Sequence, residues 1–241
     1  MCKALNFISR REKPLALRQK NIENILWYVL ECYGMILRDG KTYSLSDIKN
    51  SHIKPENFLR NKLVDEYLRE YVNLFKDKFK TEYIFFDKDA EETYLDTDGK
   101  EATDKIDIYI RNSALQDSWS DRRTVYYAVE CKRIKTLLDT QKYIREDMIG
   151  KFVKRNHTEN RLPFEGQLAF IENEDISPEQ VAESINENLE VRNRSESSLS
   201  LIDIHSEQKC SFISKHCREF DHNKKFNIFH LLLDYSKIIV S

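Results

Sequence analysis

Residues 124–134 read TVYYAVECKRI, and this stretch is apolar on both faces as far as Val129, the composition of a strand buried on both sides of a sheet. It then ends in Glu130, Cys131 and Lys132. Residues two apart on a strand share a face, so Glu130 and Lys132 project together while Cys131 continues the row of Val125, Tyr127 and Val129. A little upstream, residues 104–110 read DKIDIYI. Ile106, Ile108 and Ile110 alternate there with Lys105, Asp107 and Tyr109, which predicts a period-two strand carrying Asp107 on the face opposite the isoleucines. Two strands thus offer two acids and an amine within a core-forming region.

Asp107 and Glu130 are ionised at pH 7, carboxyl groups ordinarily having pKa values of about 4. Their oxygens suit a hard divalent cation, Mg²⁺ or Mn²⁺. Such an ion lowers the pKa of a bound water and neutralises charge developing on a phosphoryl group, while Lys132 orients the water or stabilises the transition state. That chemistry is phosphodiester hydrolysis. A plainer reading of the same residues is an ion pair between Glu130 and Lys132 at a strand edge.

An acid on one strand and Glu-x-Lys at the end of the next resembles the PD-(D/E)XK nuclease superfamily. Asp107 matches the first acid and Glu130, Cys131 and Lys132 match the Glu-x-Lys, although Ile106 stands where the superfamily's proline precedes the acid. The resemblance implies an α/β, restriction-endonuclease-like mixed central sheet flanked by helices. It also implies Asp107, Glu130 and the backbone carbonyl of Cys131 as metal ligands, with Lys132 placing the attacking water. DNA is the substrate it suggests, and a bacterial restriction enzyme or phage-defence effector the setting. A regulatory protein or nucleotide activator and a homodimer belong to the same expectation.

The order of elements agrees. Residues 16–37 read as a helix from the spacing of Ile22, Ile25, Leu26, Val29, Leu30, Tyr33 and Leu37, with Gly40 beyond it. Pro55, favoured at a first helical position, opens a second helix to about Phe79, with Leu59, Leu63, Tyr67, Tyr71, Leu74 and Phe75 as its apolar stripe. A strand near Tyr83 to Phe86, an acidic hairpin region from Asp87 to Glu101 and a polar excursion from Arg111 to Arg123 separate the remaining pieces. A helix from about Leu137 to Arg155, a strand from Gly166 to Ile171, and a helix opened by the capping box Ser177-Pro178-Glu179-Gln180 follow. Three strands, Leu201 to His205, Ser211 to His216 and Phe226 to Asp234, finish the chain. The resemblance covers about residues 55–172, so residues 1–54 read as a helical extension packed on a nuclease-like domain of residues 55–241.

Two further acids compete to complete the site. Glu56 falls within the stripe of the second helix and Glu66 at its edge, so Glu56 is preferred. On the next helix Gln141 shares a face with Leu137, Ile144, Met148 and Phe152. An inward amide needs a partner, and Gln141 is a candidate aid to the water or the phosphate.

With 39 Lys and Arg against 41 Asp and Glu, the net charge is −2, which argues against a strongly basic nucleic-acid binder. The basic residues nearest the Glu130 strand, namely Arg122, Arg123, Lys151, Lys154 and Arg155, are the candidate phosphate contacts. The five cysteines have no paired spacing, and no secretory signal is read, so a reduced cytoplasm is expected. No apolar run has the length of a membrane span. A non-catalytic nuclease-like scaffold that binds nucleic acid or a protein is the alternative, and Cys-His catalysis through His216, Cys217 or His230 lacks an orienting third group.

Overall fold

A twelve-residue strand, β2 (Ile84–Leu95), and a second of equal length, β3 (Glu101–Asn112), form a long hairpin. Most of the stretch expected as an acidic hairpin region is therefore extended, as far as Leu95 on one strand and from Glu101 on the other. Polar cross-strand pairs occupy the outer half of the ladder: Glu91 stands opposite Lys105, and Thr93 opposite Thr103, pairs that support strands without an apolar face. Asp96 accepts from the backbone amides of Asp98 and Lys100, and Gly99 supplies the positive φ that the turn requires. The computed structural model describes residues 2–75, 84–96, 98–119, 125–145, 149–154, 156–157, 162–192 and 198–240.

The remaining strands are β1 (Tyr43–Ser44), β4 (Tyr126–Ile134), β5 (Asn156–His157), β6 (Phe164–Ile171), β7 (Ser200–Leu201), β8 (Ser211–Arg218), β9 (Asp221–Asp234) and β10 (Ile239–Val240). Among the described residues, eight of the ten strands make one mixed sheet in the order β5-β2-β3-β4-β6-β9-β8-β7; β1 and β10 pair separately. Strands β4, β6 and β9 run parallel at its centre, and antiparallel strands extend both sides. The fold is mixed α/β. All eight positions of β6 are buried, as expected of a parallel strand covered on both faces.

Helix α1 (Cys2–Arg38) begins well before residue 16. Its Ile22, Ile25, Leu26, Val29, Leu30 and Tyr33 share one apolar cluster with Ile108, Ile110, Val129 and Cys131, so the N-terminal helix builds one face of the common core. Helix α2 (Leu45–Asn50) is short, and α3 (Pro55–Leu63) does not run on to Phe79. A π turn over Val64–Leu68 and a 3₁₀ turn over Val72–Phe75 follow it, and residues 76–79 lie outside the described residues. The buried Tyr28 hydroxyl donates to the Leu68 carbonyl at 2.9 Å, satisfying a group that the interrupted helix leaves without an intrahelical partner. The polar excursion contains α4 (Ser113–Trp119).

The single helix expected over 137–155 is also broken. A 3₁₀ turn at Leu137–Asp139 leads into α5 (Thr140–Ile144), Arg145 is extended, and α6 (Ile149–Lys154) follows. Helix α7 (Pro178–Arg192) does carry the capping box: Ser177 N–H donates to Gln180 Oε1 at 2.8 Å and Gln180 N–H to Ser177 Oγ at 3.3 Å. Ile144, Ile149, Phe152, Val181 and Ile185 from these helices cover Ile134, Ala169, Ile171, Ile228 and Leu232 on the second face of the sheet. Gly166 is what lets Tyr127 lie flat in the core: a Cβ there would sit 2.7 Å from the Tyr127 hydroxyl and from Val129 Cγ2.

A polar chain crosses the second face. His230 Nδ1 is 2.9 Å from the Tyr143 hydroxyl, its Nε2 is 2.8 Å from Ser214 Oγ, and Ser214 Oγ is 2.7 Å from His216 Nε2. Burial holds the His230 imidazole well below its ordinary 6.5, and His216 acts in the same direction. The unfolded chain takes up a proton near 6.5 whereas the folded one stays neutral, so this contribution to stability is complete above pH 6.5 and is lost as pH falls below it. The expected slope is about 1.4 kcal/mol per pH unit. Urea unfolding at pH 7.5 and 5.0 should show it in the parent and show a shallower slope in His230→Gln; equal slopes would remove His230 as the cause.

Candidate active site

Strands β3 and β4 pair from Arg111 opposite Tyr126 to Ile108 opposite Val129, and no pair follows. In the next position the Asp107 carboxylate replaces the missing backbone partner: its Oδ2 accepts the Cys131 N–H at 2.8 Å. Its Oδ1 accepts from Arg60 Nη1 at 3.0 Å. The acid of one strand is thus fastened to the middle residue of the Glu-x-Lys of the next. N–H and C=O of one strand residue leave on the same edge, since opposed residues exchange both bonds, so the Cys131 carbonyl belongs to the same gap. The Cys131 side chain turns away into the apolar cluster with Tyr127 and Val129. Burial pushes its thiol well above the ordinary 9.0, with Asp107 and Glu56 adding to the rise, so it is no nucleophile.

Glu130 and Lys132 lie on the opposite face from Cys131, as expected. Glu130 is buried, and Lys151 from α6 places Nζ 2.6 Å from Glu130 Oε1 and 2.9 Å from Asp104 Oδ2. Lys151 also donates to the Lys105 carbonyl at 3.2 Å. An ammonium tied to two carboxylates is no outward phosphate contact, which corrects the reading of Lys151. Lys154 is half-buried on the same helix, and Arg122, Arg123 and Arg155 lie outside the described residues.

Glu56 reaches the site and Glu66 does not. Glu56 Oε2 accepts from the Arg133 N–H at 3.2 Å. Burial raises its carboxyl above the ordinary range; the Lys132 ammonium opposes that rise and the Asp107 carboxylate adds to it. Glu66 instead bonds Tyr43 at 3.0 Å and pairs with Lys62 and Lys41. Gln141 is half-buried on α5, and among the described residues no hydrogen bond of its side chain is found. The inward amide of this face is Gln167, in register with Glu130 on one side and His230 on the other. Its polarity within the apolar run of β6 was the signal for it.

The main residue that sequence reasoning missed is Arg60. It is 1% exposed and forks onto Asp89, Nη1 to Oδ1 at 2.9 Å and Nη2 to Oδ2 at 2.8 Å, besides holding Asp107. Glu56 and Arg60 are one helical turn apart and so share a face; choosing the acid could have drawn attention to the arginine.

Hard oxygen donors from Asp107, Glu130 and the Cys131 carbonyl fit Mg²⁺ or Mn²⁺ in kind. A carboxylate offers about four lone pairs, and the two bonds to Asp107 leave it acceptor capacity. Among the described residues, however, no group of three His, Cys, Asp or Glu side chains is gathered as a metal cage. The acids are compensated by Arg60 and Lys151 from the protein itself. Comparison with protein families, curated proteins and solved structures finds no match to the chain.

Proposed function

We propose that the protein is a metal-dependent endonuclease of the PD-(D/E)XK type that hydrolyses phosphodiester bonds in DNA. The observation that carries this reading is the contact between Asp107 and the Cys131 amide, which joins the lone strand acid to the Glu-x-Lys at the point where β3 and β4 part. The succession of α3, β2, β3, β4, helix and β6, with β4 and β6 parallel, is the support for a restriction-endonuclease-like core.

In this reading Asp107, Glu130 and the Cys131 carbonyl would hold the ion, which would supply an activated water and offset phosphoryl charge. Lys132, on the row of Glu130, orients that water and balances the charge that grows on the phosphate oxygens. Glu56, whose proton is held more tightly than usual beside Lys132, supplies a further oxygen at the same end of the sheet. Arg60 and the Cys131 amide fix the Asp107 rotamer. A restriction or phage-defence role belongs to this proposal.

The test is cleavage of plasmid, linear duplex and single-stranded DNA with Mg²⁺ or Mn²⁺, beside EDTA and the Asp107→Ala and Lys132→Ala proteins. Cutting by the parent that EDTA and both substitutions abolish is the expected result. Cutting that survives both would place the activity elsewhere. The compensation of Glu130 by Lys151 favours a second reading, a nuclease-like scaffold without turnover, which predicts no cutting by the pure parent under any metal.

A further inference from the structure

Asp89 has a φ of 54°, a left-handed conformation that few residues other than Gly, Asn and Asp adopt. It lies in β2 between Lys88, opposite Ile108, and Ala90, opposite Ile106, and so faces Asp107 across the hairpin. Both of its oxygens take the Arg60 fork, at 2.9 and 2.8 Å. Asp107 receives only one contact from the same guanidinium, at 3.0 Å. Asn61 Oδ1 takes Nε and Nη2 of Arg60 at 3.2 and 2.9 Å, so the guanidinium is held in place from three sides.

We propose that Arg60 and Asp89 are positioning residues for Asp107: Asp89 claims the planar fork of Arg60 and limits its hold on Asp107 to one oxygen, which keeps that carboxylate oriented yet able to accept a divalent cation. The inference rests on the nuclease reading of the site. A guanidinium prefers two parallel bonds to one carboxylate. With Asp89 gone, the nearest carboxylate for that fork is Asp107, and a bidentate Arg60–Asp107 pair would compete with the metal for both oxygens. The unusual backbone at Asp89 has a use in this account, because left-handed residues of this kind persist where the surroundings over-determine them.

Asp89→Gly removes the carboxylate and suits the positive φ, and Asp89→Asn keeps the shape while weakening the claim on the fork. Binding of Mn²⁺ alone would be followed by calorimetry, and plasmid cleavage by kcat and KM. Asp89→Gly is expected to weaken Mn²⁺ binding at least tenfold and lower kcat at least tenfold, with KM for plasmid within twofold of the parent. Asp89→Asn should fall between the two. Adding Arg60→Met to Asp89→Gly should restore most of the Mn²⁺ affinity, because Asp107 keeps the Cys131 amide, while kcat stays low for want of the orienting guanidinium, a split that a merely structural role for Asp89 would not produce. Parent-like Mn²⁺ affinity in Asp89→Gly, or no recovery in the double variant, overturns the positioning role. A parent that binds no Mn²⁺, or an Asp107→Ala protein that binds it as well as the parent, overturns the reading of the site itself and the positioning role with it.

Discussion

Replacing Arg218 with Met should lower the unfolding free energy by about 3–5 kcal/mol, the usual cost of leaving one member of a buried ion pair behind. Glu165 is fully buried, and Arg218 Nη2 is 2.7 Å from its Oε1. The same guanidinium donates to the Phe152 carbonyl and lies 3.8 Å from the centre of the Phe226 ring, so it joins α6, β6, β8 and β9. The strand that carries Glu165 is covered on both faces, and water has no easy route to its carboxylate once the guanidinium is gone. Removing both charges with Arg218→Met and Glu165→Leu should recover most of the loss, since a buried pair is often no better than apolar residues of similar volume. Urea unfolding at pH 7 measures both. A loss below about 1 kcal/mol for Arg218→Met would mean that Glu165 is rescued by solvent or by a neighbour.

What was legible in the chain follows from how each residue is held. The placement of Asp107, Glu130 and Lys132 depends on strand alternation, and Ile106, Ile108, Ile110, Tyr127 and Val129 mark that alternation unambiguously. The turning of Cys131 toward the helix α1 side follows from the same period. Glu56 was legible because an inward acid on an apolar helical face stands out. Arg60 and Asp89 were not, because their pairing depends on how α3 sits over the hairpin, a tertiary fact with no sequence period. The length of the strands in the β2–β3 hairpin was less legible for another reason: its outer half sets polar residues opposite one another, Glu91 with Lys105 and Thr93 with Thr103, and so lacks the apolar alternation on which strand reading relies. The two helices are shorter than their apolar spacing suggests, and for the first the reason is visible. Apolar spacing continues through Val64–Leu68 and through Arg145, but local backbone geometry changes where a buried partner is better served, as at the Leu68 carbonyl.

Two lysines lie among the acids of the site, Lys132 beside Glu56 and Lys151 on Glu130 and Asp104, and their replacement by Met should separate their roles. Lys132 is on the strand, half-buried, with its charge felt by Glu56. If it balances charge only as the phosphate reacts, Lys132→Met should cut DNA about 10²–10³-fold more slowly while its Mn²⁺ affinity stays within a few-fold of the parent. Lys151 instead holds Glu130 and Asp104 in the resting protein. Its loss leaves Glu130 buried without its cation, so Lys151→Met should be less stable by about 3 kcal/mol in EDTA. A divalent ion that binds Glu130 can take over that compensation: at a hundred times its dissociation constant a ligand of the folded state contributes about 2.7 kcal/mol. Mn²⁺ should therefore stabilise Lys151→Met against urea by more than it stabilises the parent, in which the tethered ammonium already occupies Glu130. Equal stabilisation of the two proteins would place the ion away from Glu130, and a Lys151→Met protein as stable as the parent in EDTA would show that the buried pair contributes nothing to the resting fold.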